Sequence, residues 1–183
     1  MGTKEHKKDA PKNLKVGIIS VSTTRTIADD KSGHWISKQA RKERHEVVFH
    51  SVIPDEAEAI KETVLTVIQE FRPHVLLLTG GTGISGRDVT VEAVRPMFEK
   101  ELSAFSPLFA MLSFEEIDSA SLLSRATAGL IKGTVVFCMP GSLKACKLAC
   151  NALIFPELGH LTKHVYEDRI KIEELANKEQ VED

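Results

Sequence analysis

Short apolar runs alternate with helical patterns along most of the chain. Four runs rich in β-branched and aliphatic residues predict buried strands at residues 14–22, 46–53, 74–79 and 134–139. Between the second and third runs, one continuous apolar face of a helix is formed by Ile60, Val64, Val67, Ile68 and Phe71. Strands that alternate with helices are typical of a parallel sheet covered on both faces. The sequence therefore predicts an α/β fold with three layers, α/β/α, and a mostly parallel central sheet.

Capping and turn residues set the ends of the other predicted helices. Ser32 can cap a helix that follows a polar loop at residues 23–31, and Pro73 ends the helix before the third strand. A further helix is predicted from Thr90, after a glycine-rich turn. Ser142 can cap the helix that follows the fourth strand.

Within residues 102–128, the apolar side chains between Phe105 and Phe114 suggest a buried helical segment. Within this stretch, residues 113–116 (Ser-Phe-Glu-Glu) resemble a capping box, which predicts the start of another helix. Pro156 is predicted to start a final helical turn or two. The sequence indicates no strand between the third predicted strand and the fourth.

Charged, unpatterned residues flank the predicted domain on both sides. Residues 1–13 predict a disordered tail, and residues 166–183 predict a charged tail or a short helix. The intervening residues 14–165 contain no internal repeat or linker, and the chain length of 183 residues suits one domain with a full core. We therefore expect a single folded domain between the two tails.

The composition excludes several classes of partner. Apolar content is 42%, charged content is 27% and the net charge is -2, whereas a nucleic-acid partner usually requires a basic patch. No apolar stretch approaches the length that spans a bilayer, and the polar N-terminus carries no secretory signal. The 3 cysteines then fit a reducing compartment. We expect a cytoplasmic protein that binds neither nucleic acid nor a membrane.

The stretch from Thr79 to Asp88 reads TGGTGISGRD and carries the most information about chemistry. A glycine-rich turn between a strand and a helix exposes backbone N–H groups, which suit an anion and phosphate in particular. Asp88 adds a carboxylate, and Mg²⁺ typically binds one or two carboxylates together with substrate phosphates. The stretch therefore predicts a phosphate-handling site for a nucleotide.

Parallel strands bring their carboxyl ends to one edge of the sheet, so the residues at those ends are expected to lie together. They offer hydroxyls, backbone amides and two acids, Asp55 and Asp88, with no histidine among them. Such groups suit phosphoryl or nucleotidyl transfer, in which the protein mainly positions groups and neutralises charge. As alternatives, the glycine stretch could be only a tight turn, and Asp55, Asp88 and Ser142 could be only helix caps.

Other motifs are weaker. Residues 81–86 satisfy the pattern G-x-G-x-x-G, but they follow the third strand, and no acidic strand end lies about 20 positions later as dinucleotide binding requires. No Gly-Lys-Ser/Thr follows, which excludes a Walker A loop. Cys146 and Cys150 are expected to be buried thiols, and His160 and His164 lack a further ligand at a spacing that would suit zinc.

Five segments in order along the chain together resemble the molybdopterin-binding MoaB/MogA family. They are residues 79–83, 87–90, 111–117, 124–126 and 139–142, the last followed by Ala145. The resemblance covers roughly residues 15–165. It implies a molybdopterin-binding α/β domain that assembles as a trimer or as a hexamer.

The resemblance also implies an activity and roles for residues. Members of the family transfer AMP from ATP to molybdopterin with Mg²⁺, and Asp55 and Asp88 match the two functional aspartates, as catalytic residues and metal ligands. The glycine loop and the pterin-side turn supply most of the substrate contacts. The implied substrate-binding residues are Ser20, Ser22, Thr79, Gly80, Gly81, Thr82, Gly83, Pro140, Gly141 and Ser142. The alternative is a non-catalytic protein of the same pathway that binds or carries molybdopterin.

Overall fold

The computed structural model describes residues 11–165. Residues 1–10 and 166–183 lie outside the described residues, and with them most of the predicted N-terminal tail and the whole predicted C-terminal tail. Within the described part, no helix is both long enough and apolar enough to cross a membrane.

The described residues form strands, helices and short connecting turns. The strands are β1 (Lys15–Val21), β2 (Glu46–Ile53), β3 (Val75–Thr79), β4 (Lys100–Glu101), β5 (Thr127–Ile131) and β6 (Thr134–Met139). The helices are α1 (Lys31–Lys42), α2 (Ala57–Phe71), α3 (Thr90–Val94), α4 (Phe105–Ile117), α5 (Leu143–Ala149) and α6 (residues 158–165). A π-helical segment, Cys150–Ile154, extends α5.

The strands form one sheet in the order β2-β1-β3-β6-β5-β4. β1, β2, β3 and β6 run parallel, whereas β5 and β4 pair antiparallel with their neighbours. The predicted α/β architecture with a mostly parallel sheet is therefore confirmed. The chain passes from β1 to β2 on one side and then returns past β1 to β3, so the strand order reverses beside β1. A ligand cleft is expected outside the carboxyl ends of the strands at such a point.

Successive side chains of the central strands pack into two separate cores, because they face opposite sides of the sheet. Ile18 of β1 and Leu77 of β3 belong to a core that α1, α4 and α5 cover. Their neighbours Ile19 and Leu78 belong to a second core that α2 and α3 cover. Burial on both faces explains why these strands are continuous apolar runs in the sequence.

β5 is a strand that the sequence does not indicate. The helix predicted between Phe105 and Phe114 is confirmed as part of α4, and β5 begins only at the end of the stretch 102–128. A tight turn with positive φ at Lys132 (47°) and Gly133 (76°) joins β5 to β6. Within β5, a Cβ at Gly129 would lie 2.4 Å from the ring of Phe98, so the strand has no side chain at that position. A short strand with Ala and Gly at its centre has little β-propensity, which is why the pattern misses it.

α4 runs without a break through the predicted capping box. Ser113 is buried inside the helix, which ends before Asp118, a residue with φ of 49°. The predicted start of a new helix at residues 113–116 is therefore wrong. Ser-x-x-Glu spacing caps a helix only where the preceding turn is absent and leaves amides unbonded.

A buried carboxylate at Asp30 ties β1, β2 and α1 together below the loop that follows β1. Its Oδ1 accepts a hydrogen bond from the Gly33 amide (2.9 Å) and caps α1. Its Oδ2 accepts one from the Ser20 hydroxyl (2.6 Å) and lies 2.8 Å from His50 Nε2. Burial raises the pKa of Asp30, but the bonds from His50, Ser20 and Gly33 outweigh it and lower the pKa to about 2. The predicted cap, Ser32, instead donates its hydroxyl to the carbonyl of Gly141 (3.0 Å).

Replacement of this carboxylate is expected to reduce stability in a pH-dependent way. Asp30→Asn should lower the free energy of unfolding at pH 7 by about 1–3 kcal/mol, since it weakens a buried charged network. The folded pKa of about 2 lies below the ordinary value of 3.8, so the stabilisation is present above pH 3.8 and is lost as the pH falls towards 2. Urea denaturation of both proteins at several pH values should show the difference shrinking in that window.

The neighbouring Asp29 supplies a matched control. It is exposed and accepts a hydrogen bond from the nearby Thr26 hydroxyl (2.8 Å), so Asp29→Asn should cost less than about 1 kcal/mol. Equal stability of Asp30→Asn and the unaltered protein at neutral pH would contradict a stabilising role for the network.

Candidate functional site

A cleft of about 310 Å³ lies at the carboxyl ends of β1, β3 and β6, beside the reversal of strand order. Its walls come from the loop after β1, the glycine loop after β3, the segment after α4 and the turn after β6. The lining residues are Val21, Ser22, Arg25, Gly80, Gly81, Thr82, Gly83, Asp88, Leu123, Ser124, Pro140, Gly141 and Ser142. The sheet therefore brings most of the predicted site residues to one place.

Backbone rather than side chains forms the floor of the cleft. Gly80 has φ of 103°, and a Cβ there would lie 2.3 Å from the carbonyl oxygen of Val21. A Cβ at Gly141 would lie 3.0 Å from the Cα of Gly80. The Gly80 amide donates to the carbonyl of Met139 (3.0 Å), which joins the two turns. The ends of three strands can approach this closely only because glycine stands at both contacts.

Three of the predicted site residues carry buried hydroxyl groups: two of these bond within the protein, and the third has no hydrogen-bond partner among the described residues. Ser20 and Thr79 are buried, and their hydroxyls donate to Asp30 (2.6 Å) and to the carbonyl of Pro140 (3.0 Å). Thr82 is only 2% exposed, and its hydroxyl has no hydrogen-bond partner among the described residues. A buried hydroxyl left without a partner is costly, so Thr82 fits a bound polar group in this cleft.

The carboxylate of Asp88 lies beside Gly83 of the glycine loop, and its surroundings favour the ionised form. Its Oδ2 accepts hydrogen bonds from the hydroxyl (2.6 Å) and the amide (2.9 Å) of Ser85. The Ser85 hydroxyl, helped by the amides of Ser85 and Gly83, lowers the pKa of Asp88 against the opposing effect of partial burial. A Cβ at Gly83 would lie 2.8 Å from the same oxygen, so the carboxylate can occupy this position because residue 83 has no side chain.

Asp55 lies against the other end of the same loop. Its Oδ2 accepts a hydrogen bond from the Thr23 amide (2.7 Å), and its Oδ1 is 3.3 Å from the position that a Cβ of Gly81 would take. Neither acid caps a helix, because the N-caps of α2 and α3 are Glu56 and Val89. The reading of Asp55 and Asp88 as mere caps is therefore wrong, and both carboxylates flank the glycine loop.

Arg25 is a functional candidate that the sequence analysis misses. It lies in the exposed loop after β1, lines the cleft, and donates from Nη1 to the carbonyl of Gly141 (3.3 Å). A guanidinium at this position offers positive charge to an anion in the cleft. Arg25 follows the first parallel strand, so it could have been predicted to lie at the same edge of the sheet as the glycine loop.

A smaller apolar pocket of about 70 Å³ adjoins the cleft and shares Ser124 and Ser142 with it. Phe109 of α4 and Leu148 of α5 form part of its wall. Ser142 accepts a hydrogen bond from the Ala145 amide (3.2 Å), so it caps α5 as predicted and also lines both spaces. The two spaces together suit a ligand with a charged part and a flat, less polar part.

The donors around the cleft fit Mg²⁺ bound with a substrate rather than a metal cage built by protein alone. No group of three histidine, cysteine or acidic side chains that could hold a metal occurs in the part of the chain that the structure describes. Asp88 and Asp55 still offer carboxylate oxygens on either side of the glycine loop. One or two carboxylates are what Mg²⁺ usually takes from a protein when phosphate oxygens supply further ligands.

Comparison with known proteins identifies the family. A family model described as "Probable molybdopterin binding domain" matches residues 17–160. This chain belongs to that family. The Bacillus subtilis relative "Molybdenum cofactor biosynthesis protein B" is 44% identical over 170 residues, which cover 92% of this chain and 100% of the relative. The Pyrococcus furiosus relative "Molybdopterin adenylyltransferase" is 40% identical over 173 residues, with coverage of 91% and 100%.

Solved structures of the family have the same fold. A crystal structure of molybdenum cofactor biosynthesis protein B superposes with a TM-score of 0.83 at 42% identity and covers 87% of this chain and 99% of that one. The structure of the tungsten cofactor synthesizing protein MoaB from Pyrococcus furiosus gives a TM-score of 0.74 at 38% identity, with coverage of 85% and 99%. The resemblance of the sequence to the MoaB/MogA family is therefore confirmed.

Two glycines of the loop are expected to respond differently to substitution. In Gly83→Ala, the new Cβ would lie 2.8 Å from Asp88 Oδ2 and should push the carboxylate away from Ser85. The pKa of Asp88 should then rise towards its usual value, because the bond from the Ser85 hydroxyl is the main cause of its lowering. A titration followed by carboxyl ¹³C NMR measures this shift.

Gly86→Ala is the matched control for this prediction. A Cβ at Gly86 would meet nothing within 4 Å, so this variant should leave the titration of Asp88 and the stability unchanged within about 0.5 kcal/mol. If both variants titrated alike, the place of Asp88 would not depend on the absent side chain at residue 83.

Proposed function

We propose that this protein acts in molybdenum cofactor biosynthesis as a molybdopterin adenylyltransferase, which transfers AMP from ATP to the terminal phosphate of molybdopterin and releases pyrophosphate. The observation that carries the proposal is the glycine loop, flanked by two carboxylates and containing a buried hydroxyl without a partner among the described residues. The activity named for the Pyrococcus furiosus relative supports it. In this reaction a phosphate oxygen of molybdopterin bonds to the α-phosphorus of ATP, and the bond from that phosphorus to pyrophosphate breaks.

The loop after β3 is suited to hold the triphosphate. Residues Gly81–Gly83 line the cleft, and the backbone amides of Gly81 and Thr82 would bind phosphate oxygens. The Thr82 hydroxyl, which has no hydrogen-bond partner among the described residues, would add a further donor. Arg25, on the facing wall, would offset the negative charge of the phosphates. These groups position the reacting phosphates and stabilise charge, which is most of what such a transfer needs from a protein.

Asp88 and Asp55 are the proposed catalytic acids and metal ligands. Mg²⁺ bound there together with ATP would neutralise the triphosphate and the leaving pyrophosphate. The hydrogen bonds from Ser85 lower the pKa of Asp88, so the site favours the charged carboxylate that metal binding requires. Asp55 is held by the Thr23 amide, so it also connects the loop after β1 to the glycine loop.

The pterin would lie in the adjoining apolar pocket, next to the turn at Pro140, Gly141 and Ser142. Ser22 and Ser142 line the cleft and would donate hydrogen bonds to substrate, whereas Ser20 and Thr79 act behind it by fixing the strand ends. No nucleophile from the protein is needed, because the attacking oxygen belongs to molybdopterin. Burial raises the pKa of Cys138 and Cys146, which keeps these thiols protonated.

The proposed activity is tested by incubation with molybdopterin, ATP and Mg²⁺, followed by measurement of AMP-linked pterin and pyrophosphate. Asp88→Asn should reduce product formation by about a hundredfold or more, since it removes a charge that stabilises the transition state. Asp29→Asn, an exposed acid outside the cleft, should retain normal turnover. Removal of Mg²⁺ with EDTA should abolish the reaction of the unaltered protein.

The same assay distinguishes the alternative function. Binding of molybdopterin without formation of AMP-linked pterin by the unaltered protein would favour a carrier of the pathway. Normal turnover of Asp88→Asn would contradict the assignment of Asp88 as a catalytic residue.

We also infer that the protein self-associates, as a trimer or a hexamer, through the apolar side of α4 and the segment after it. Met111 is 54% exposed, Phe114 56% and Leu122 82%, and so many exposed large apolar side chains within one short segment indicate an interaction surface. Phe114→Glu should shift the mass measured by light scattering towards the monomer, because a charge cannot be buried in an apolar interface without a partner.

Leu65→Glu on α2 is the control, and it should leave the mass unchanged. An unaltered protein that is monomeric at all concentrations would contradict the inference.

A further inference from the structure

One arginine, Arg125, binds three backbone carbonyls of the glycine loop although it lies far away in the sequence, just before β5. Its Nε donates to the carbonyls of Thr82 (3.1 Å) and Gly83 (3.0 Å). Its Nη2 donates to the carbonyl of Asp88 (3.2 Å). A single guanidinium therefore binds carbonyls in the middle and at the end of the loop.

Glu92 holds the guanidinium in this position. Its Oε2 accepts from Arg125 Nη2 (3.1 Å), and its Oε1 pairs with Nη1. Glu92 lies in the first turn of α3, the helix that starts directly after the loop. The ion pair lowers the pKa of Glu92 and raises that of Arg125, so both groups stay charged. Only the planar, forked guanidinium offers enough donors for two carboxylate oxygens and three carbonyls at once.

The carbonyl contacts determine where the loop amides point. The peptide bonds of the described residues are all trans, and in a trans peptide the C=O and N–H groups point in opposite directions. The carbonyls of Thr82 and Gly83 point at Arg125, so the amides of Gly83 and Ile84 point away from it. The Gly83 amide is one of the groups that hydrogen-bond the carboxylate of Asp88. The carbonyls of the loop thus face the guanidinium, whereas the Gly83 amide faces away from it and binds the side-chain carboxylate of Asp88.

We propose that Arg125 is a positioning residue, which fixes the peptide planes of the glycine loop so that its amides orient Asp88 towards the cleft. Arg125 does not line the cleft itself and would act through Asp88 and the loop amides. Its effect on turnover rests on the proposed adenylyl transfer, whereas its effect on the loop does not. The competing explanation is that Arg125 only joins β5 to α3 and stabilises the fold as a whole.

Hydrogen exchange of the free protein separates these explanations. In Arg125→Gln, amides of residues 83–88 should exchange about tenfold faster or more, while amides of β3 and α2 should be unchanged. Arg125→Lys should behave similarly, since a single ammonium cannot replace a fork that binds three carbonyls. Arg95→Gln is the matched control, because it breaks an exposed ion pair with Glu101 (3.1 Å) and should leave exchange in the loop unchanged. The proposal would be overturned if Arg125→Gln accelerated exchange throughout the protein. It would also be overturned if exchange of the loop amides were no faster than in the unaltered protein.

Kinetics of adenylyl transfer supply the second measurement. Misplacement of Asp88 should lower kcat of Arg125→Gln about tenfold to a hundredfold and change the KM for ATP by less than about threefold, as expected for a loss of orientation. A purely structural role would instead lower the amount of folded enzyme and leave kcat per folded molecule unchanged. If the unaltered protein transferred no AMP, the proposed function would fail, but the exchange experiment would still decide the role of Arg125.

Discussion

The close contact of three backbone segments at the carboxyl edge of the sheet is the constraint on which the site depends. Gly80 lies against the carbonyl of Val21 on one side, where no Cβ would fit, and against Gly141 on the other, where a Cβ would be tight. Because of this contact, the turns after β3 and β6 form a floor of peptide groups rather than of side chains. Peptide groups are fixed dipoles that need no reorganisation when an anion binds, so such a floor suits the phosphate binding that we propose.

The charged groups of the site are arranged around this floor and are held there by contacts that do not use the ligand. Asp88 is bound by Ser85, Asp55 by the Thr23 amide and Arg25 by the Gly141 carbonyl. Each bond leaves the side chain with further capacity, since a carboxylate accepts at both oxygens and a guanidinium carries five N–H donors. The site therefore has its charges in place before substrate binds, which reduces the ordering cost of binding.

The sequence predicts those parts of the fold and site that depend on local pattern. The parallel strands are continuous apolar runs, and their shared edge follows from the α/β topology, so Asp55, Asp88 and the glycine loop could be placed together. β5 could not be predicted in the same way, because its identity as a strand depends on pairing with β6 and on the packing of Phe98 over Gly129. Arg125 is separated from the carbonyls it binds by about forty residues, and no periodic pattern encodes such a contact.

Asp30 and Arg125 support the site through contacts between residues that are distant in the sequence. Both residues lie outside the cleft lining, and both act by binding backbone or buried polar groups of several elements. Asp30 fixes the start of α1, whose Ser32 in turn binds the Gly141 carbonyl, and Arg125 fixes the glycine loop from the other side. Two charged side chains outside the cleft lining thus support its walls. Because peptide groups carry no side chain of their own to orient them, a site built from backbone depends on such supports more than a site built from side chains does.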